Sequence, residues 1–156
     1  METDDLRCKT FKIKLWEHCE AAEVKCRFAS YRHNGTLALE LLCRPDFPIP
    51  NDGFNTRDEF CMPYGVATVN LDASGILPIN VQFIDENNMP GLGRWLQQNK
   101  IAEPTRIHVR SGYVTYQAYA FNAPRESLSE VESRRRELGT LPSQSNNQRQ
   151  NLKMKQ

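Results

Sequence analysis

The sequence predicts an α+β protein with a mostly antiparallel sheet of about six strands, one helix packed on it and a peripheral C-terminal helix. Three observations predict it. Apolar and polar residues alternate with period two in several short runs, as half-buried strands require. The connections between those runs are too short for the crossovers that parallel strands need, so the pairing is antiparallel. Helical spacing of apolar residues shows only near residue 92 and after residue 124.

Phe11, Ile13 and Leu15 alternate with Lys12 and Lys14 and read as a first strand. From 23 to 31, Val24, Cys26 and Phe28 face one way and Glu23, Lys25 and Arg27 the other; Leu37, Leu39 and Leu41 resume the pattern after His33-Asn34-Gly35. Two such runs about Asn34-Gly35 predict a β-hairpin, because both residues tolerate positive φ at low cost. Pro45, Pro48, Pro50, Asn51, Asp52, Gly53 and Asn55 then punctuate a long loop over 44–63. Over 44–72 the acids Asp46, Asp52, Asp58, Glu59 and Asp72 outnumber Arg44 and Arg57 by five to two. Residues 64–71 and 78–84 are apolar and β-prone, separated by turn chemistry at Asp72-Ala73-Ser74-Gly75.

Asn88 precedes Pro90, Leu92, Trp95 and Leu96, which predicts a helix over 92–98 with Asn88 as its cap. Residues 106–121 give two more strands, divided at Ser111-Gly112 by a tight turn or a bulge. Ser127-Leu128-Ser129-Glu130 has capping-box spacing, and a short helix follows to about Leu138, stopped by Gly139 and Pro142. Its apolar stripe, Leu128, Val131 and Leu138, is narrow, which predicts a helix that forms fully only against a partner. The organisation predicted is one α+β domain over 1–123, a peripheral helix over 124–141 and a flexible polar tail over 142–156.

Composition narrows the function classes. A formal net charge of +1 argues against a wholesale electrostatic grip on nucleic acid, so any such grip is local. No apolar stretch approaches the 18 residues a membrane span requires, and Met1-Glu2-Thr3-Asp4-Asp5 is acidic where a signal peptide is basic, which predicts a cytoplasmic protein without membrane contact. Five cysteines without a CxxC pair predict reduced thiols and no zinc knuckle. Cys26 and Cys43 fall in phase with the hairpin's apolar residues, so packing explains them better than catalysis. No motif for a cofactor, a metal or a catalytic set stands out.

Three surfaces are candidates. Arg106, His108 and Arg110 alternate on one strand with Tyr113, Tyr116 and Tyr119 close behind, the cation and aromatic mixture that single-stranded nucleic acid stacks on; a solvated strand face beside core tyrosines is the more common origin of that pattern. Asp46, Asp52, Asp58 and Glu59 make the long loop an acidic contact surface, or simply a hydrated one. Leu128 and Val131, with Arg134, Arg135 and Arg136, make the last helix a candidate partner-binding element; after Ala123, seven bases stand against four acids.

The blocks Tyr64-Gly65-Val66-Ala67-Thr68-Val69-Asn70-Leu71, Met89-Pro90-Gly91-Leu92 and Arg110-Ser111-Gly112-Tyr113-Val114-Thr115-Tyr116-Gln117-Ala118-Tyr119 resemble a family of small domains of unknown function found on mobile genetic elements and phages of Gram-positive and gut bacteria. The resemblance covers 11–121 and omits the C-terminal extension. It implies a setting in which small proteins act stoichiometrically on host or competing defence machinery. The leading expectation is therefore a non-enzymatic protein-binding inhibitor of the counter-defence, anti-CRISPR-like kind. A nucleic-acid-binding module is the first alternative, and a small hydrolase or nuclease, which needs the histidines and cysteines or the loop acids to converge, is the second.

Overall fold

The structure, a computed structural model, describes residues 5–45 and 60–142. In chain order the elements are β1 (Phe11–Ile13), β2 (Ala22–Ser30), β3 (Leu37–Cys43), β4 (Met62–Val66), β5 (Thr68–Val69), β6 (Val81–Ile84), α1 (Leu92–Gln98), β7 (Ala102–Ser111), β8 (Val114–Phe121) and α2 (Arg125–Leu138), with single 3-10 turns at Leu6–Cys8 and Ser74–Ile76. The fold is α+β, and every strand pair is antiparallel. The described strands number eight, in two four-stranded sheets with orders β1-β2-β3-β4 and β5-β6-β8-β7. The single sheet predicted from sequence is divided because the apolar run at 64–71 crosses from one sheet to the other. Ala67 marks the crossing: its amide donates to Leu39 O at 2.9 Å, and its carbonyl accepts from Asp85 N at 2.9 Å.

A buried polar seam ties the two sheets together. Gln82 Nε2 in β6 donates to Thr36 Oγ1 and to Leu37 O, both at 2.8 Å, while its Oε1 accepts from Phe83 N at 3.0 Å. Gln82 and Thr36 are fully buried, so each polar atom left without its partner would carry a desolvation cost. Asn34 Oδ1 accepts from both the Thr36 amide and hydroxyl, and Asn34 Nδ2 donates to Asn70 Oδ1 at 2.8 Å. The hairpin between β2 and β3 is thus not the tight two-residue turn that Asn34-Gly35 predicts. Only Gly35 has positive φ, at 79°, and Asn34 spends its side chain on organising a longer turn that Tyr31 N closes on Thr36 O at 2.8 Å.

The main core takes Val24, Cys26 and Phe28 from β2 and Leu37, Leu39 and Leu41 from β3, packed with Leu92, Trp95 and Leu96 of α1 and Tyr119 and Phe121 of β8. Each fully buried side chain of this size stabilises the fold by roughly 1.5–3 kcal/mol relative to exposure. Trp95 fixes α1 on β1: its ring meets Phe11 edge-on at 6.0 Å, and its Nε1 donates to Lys12 O at 2.7 Å. A smaller core of Leu77, Val81, Phe83 and Ala118 lies on the second sheet, with Ile107, Val109 and Tyr116 packed partly against it.

Both helix starts differ from expectation. Residue Gly91, at φ 85°, caps α1, and the first-turn amides of Gly91 and Gly93 donate to the Glu86 carboxylate at 2.6 and 2.8 Å. Asn88 instead turns to Asp85. In α2 the helix begins before the Ser127 and Glu130 pair, which therefore lies inside it, and no side chain caps its start. Its end is as predicted, on Gly139 at φ 74°. Ser127, Val131 and Arg135 bury one side of α2, and Val131 joins the main core, so the helix docks on the protein's own body.

Candidate functional site

β7 and β8 extend further than the sheet that carries them. β6 pairs with β8 only from Val81↔Ala120 to Phe83↔Ala118, whereas β7 and β8 continue through His108↔Gln117, Val109↔Tyr116, Arg110↔Thr115 and Ser111↔Val114. Among the described residues these last four rungs have no third strand, and they form a two-stranded arm. Gly112, at φ 63°, makes the tight turn at its tip, and Arg110 Nε donates to Gly112 O at 3.3 Å across it. The register shift lies between Pro104 and His108, not at the tip. There Thr105 Oγ1 donates to Ala118 O at 2.8 Å and Gln117 Nε2 to Thr105 O at 2.8 Å, so side chains replace the missing rungs.

Strand alternation gives the arm two unlike faces. Val109 and Tyr116 lie on the face toward the smaller core. His108 and Arg110 share the other face with Thr115 and Gln117. Arg106, within the register shift, is exposed but outside the ladder. Tyr113 is 98% exposed at the tip. Of the three tyrosines near the cations, therefore, only Tyr113 is presented: Tyr116 turns to the opposite face, and Tyr119 is 6% exposed beneath Gly93. The cations and aromatics do not form the single stacking platform that the sequence pattern offers.

A concavity of about 400 Å³ lies between the polar face of the arm and the start of α1, lined among others by Glu86, Asn87, Arg94, His108, Gln117 and Tyr119. Glu86 is committed to the α1 amides, so the exposed side chains left to face a ligand there include the Arg94 guanidinium and the His108 imidazole. A cation and an imidazole beside amide groups suit a carboxylate or another acidic group. Burial, and next the charge of Glu86, push the Tyr119 hydroxyl above its ordinary range, so it remains a protonated phenol at neutral pH. A second hollow, of about 450 Å³, is lined by Asp5, Arg7, Pro124 and Glu126 among others. Arg7 holds Asp5 through Nη2 at 2.6 Å and Glu126 at 2.9 Å. The Arg7 bonds to Asp5 keep its carboxyl below the usual range, and Asp5 and Glu126 together leave the cation already matched by acids.

The other candidates fare differently. Asp46, Asp52, Asp58 and Glu59 lie outside the described residues. On α2, Leu128 is half-buried, Val131 is 1% exposed, Arg134 is exposed, and Arg136 is exposed and paired with Glu132 at 3.0 Å. Arg135, a candidate for partner contact, is instead wholly buried. Its Nη2 donates to Ser74 O at 2.5 Å and to Thr140 O at 2.6 Å, its Nε and Nη1 have no partner, and burial lowers its pKa. A signal for this burial exists, since Leu128, Val131, Arg135 and Leu138 follow the spacing of one helix face. Arg94, brought beside His108 only by the fold, has no comparable signal. Among the described residues no three His, Cys, Asp or Glu side chains group as a metal site, and no helix is long and apolar enough to cross a membrane.

Fold and surface together define a small α+β protein that presents a cationic two-stranded arm. The chain belongs to the family described as "Domain of unknown function (DUF4313)", whose model matches residues 26–138. The match runs through α2, which the sequence resemblance omitted, and starts within β2 rather than at β1. No curated protein and no solved structure matches the chain.

Proposed function

We propose that the protein is a non-enzymatic binding protein that acts stoichiometrically on a protein partner, with the β7–β8 arm as the contact. The observation that carries this reading is Tyr113, 98% exposed at the tip of a protruding arm beside Arg110 and His108. Tyrosine and arginine are the residue types that most often anchor protein interfaces. The edge of β7 does not invite strand addition, because Pro104, the register shift and the outward cations interrupt it. Side chains of the arm, rather than backbone pairing, thus make the contact, and their charge favours an acidic cleft. The setting is a mobile genetic element in a bacterial cytoplasm, and the partner is a component of host or competing defence machinery that the arm inhibits by occupying it, as an anti-CRISPR-like protein does. Arg94 and the adjoining concavity receive an acidic side chain from the same partner.

Affinity capture of the tagged full chain from nuclease-treated host lysate tests this reading, run beside R110E/Y113A. One stoichiometric protein captured by the wild type and lost by the variant supports it. Capture that depends on nucleic acid, with salt-dependent binding of single- or double-stranded probes, replaces it with a nucleic-acid-binding module.

A further inference from the structure

The only buried side-chain atoms without a hydrogen-bond partner among the described residues are Nε and Nη1 of Arg135. A guanidinium stays protonated in proteins and presents five N–H donors in a fixed plane, so these two positions are a standing demand for acceptors. The acceptors that Arg135 does have are the carbonyls of Ser74 and Thr140, dipoles without a full negative charge. Its stem packs on the β2–β3 turn, where a Cβ at Gly35 would lie 3.0 Å from Arg135 Cγ and 3.2 Å from Arg134 Cγ. That same turn carries Arg32 and His33, both exposed. None of Arg32, His33, Arg134 and Arg135 makes an ion pair among the described residues. On α2, Glu132 is taken by Arg136, and Glu130 and Glu137 are exposed without such a bond to these cations. A buried cation with free donors and a rim of unmatched cations therefore meet at one turn, on elements separate from the arm.

We infer that Arg135, with Arg32 and Arg134 at the rim, forms an oxyanion-binding site that takes a phosphate group. Several cations around one turn favour a dianion over a single carboxylate. The way in is the α2 C-terminal turn, where Thr140, Leu141 and Pro142 are half-buried and where Thr140 Oγ1 holds Asn34 O at 2.6 Å. The anion enters as this turn lifts and takes up the donors that the closed form leaves unused.

The test is titration of the full chain with inorganic phosphate at constant ionic strength, chloride being the balancing anion. The readouts are thermal midpoint and the NMR resonance of the Arg135 Nε–H. The expected result is a saturable rise in midpoint and a shift of that resonance, with Kd weakened about tenfold or more in Arg135→Gln. The rim variant R32Q/R134Q leaves the core untouched and should weaken Kd several-fold, which keeps the test open if Arg135→Gln fails to fold. A wild-type midpoint and resonance identical in phosphate and chloride would overturn the site. So would a full response in R32Q/R134Q and Arg135→Gln, which would leave Arg135 as a structural residue hydrated by internal water.

Discussion

Gly93 sits in the first turn of α1 directly over Tyr119, and its replacement by alanine tests the floor of the concavity beside the arm. A Cβ at that position collides with Tyr119 Oη and lies 3.1 Å from Tyr119 Cζ and 3.3 Å from Glu86 Oε1. Alanine gains about 0.8–1 kcal/mol of helix propensity over glycine. Overpacking against a ring that is 6% exposed costs about 1–3 kcal/mol. The net for Gly93→Ala is then a loss of up to about 2 kcal/mol, far from the gain that an exposed helical glycine would show. Tyr119→Phe removes the hydroxyl but leaves Cζ, so in G93A/Y119F most of the clash is gone, and the two changes couple favourably by about 1 kcal/mol. Urea denaturation of the wild type, both single variants and the double variant measures that coupling. Additivity within about 0.5 kcal/mol, or a Gly93→Ala protein more stable than the wild type, would refute the packing reasoning.

Burial pushes the Cys26 thiol from an ordinary 9.0 up to about 12. The folded state therefore holds a proton that the unfolded chain gives up, and stability falls as pH rises from 9 to 12, by about 4 kcal/mol at about 1.4 kcal/mol per unit; Cys26→Ala should show a shallower alkaline slope in pH-dependent denaturation. Gln82→Leu strips acceptors and donors from Thr36 Oγ1, Leu37 O and Phe83 N, and should cost at least about 1–3 kcal/mol in chemical denaturation, a cost that a leucine placed there by packing alone would not carry. Asp5 has the opposite linkage: its depressed carboxyl contributes above the ordinary 3.8 and loses that contribution as pH falls through its lower folded value, so cleavage near residue 5 in limited acid proteolysis should rise only below pH 3.8. Because Arg7 and Asp5 are partly exposed, Arg7→Ala should cost no more than about 1 kcal/mol in thermal denaturation.

Local patterns made much of the fold legible. Period-two alternation placed β2 and β3, and apolar spacing placed α1 over the residues it occupies, because both elements bury one face and leave the other in water. What the patterns could not carry was long-range. The run at 64–71 is β-prone and largely apolar, with Thr68 and Asn70 its only polar residues, and nothing in it marks Ala67 as the point where the chain changes sheets. Asn88 had the chemistry of a cap, but Glu86 reaches the free amides only because the chain doubles back through a positive-φ Gly91. Arg135 occupies a core position of the α2 stripe, yet charge normally means exposure and its pattern reads as a partner contact; its burial depends on the carbonyls of Ser74 and Thr140. The arm's cations were visible as alternation, but the separation of Tyr113, Tyr116 and Tyr119 onto a tip and two opposite faces follows from where the turn falls.

The proposed contact is the arm, and binding of Tyr113→Ala to whichever protein the wild type captures tests it most directly. Tyr113 makes no packing contribution at 98% exposure, so thermal stability should stay within about 0.5 kcal/mol of the wild type. Affinity should drop by about 30-fold or more, the loss of an interface anchor worth about 2 kcal/mol. Unchanged affinity in Tyr113→Ala and in R110E/Y113A would contradict the account and place the contact elsewhere on the protein.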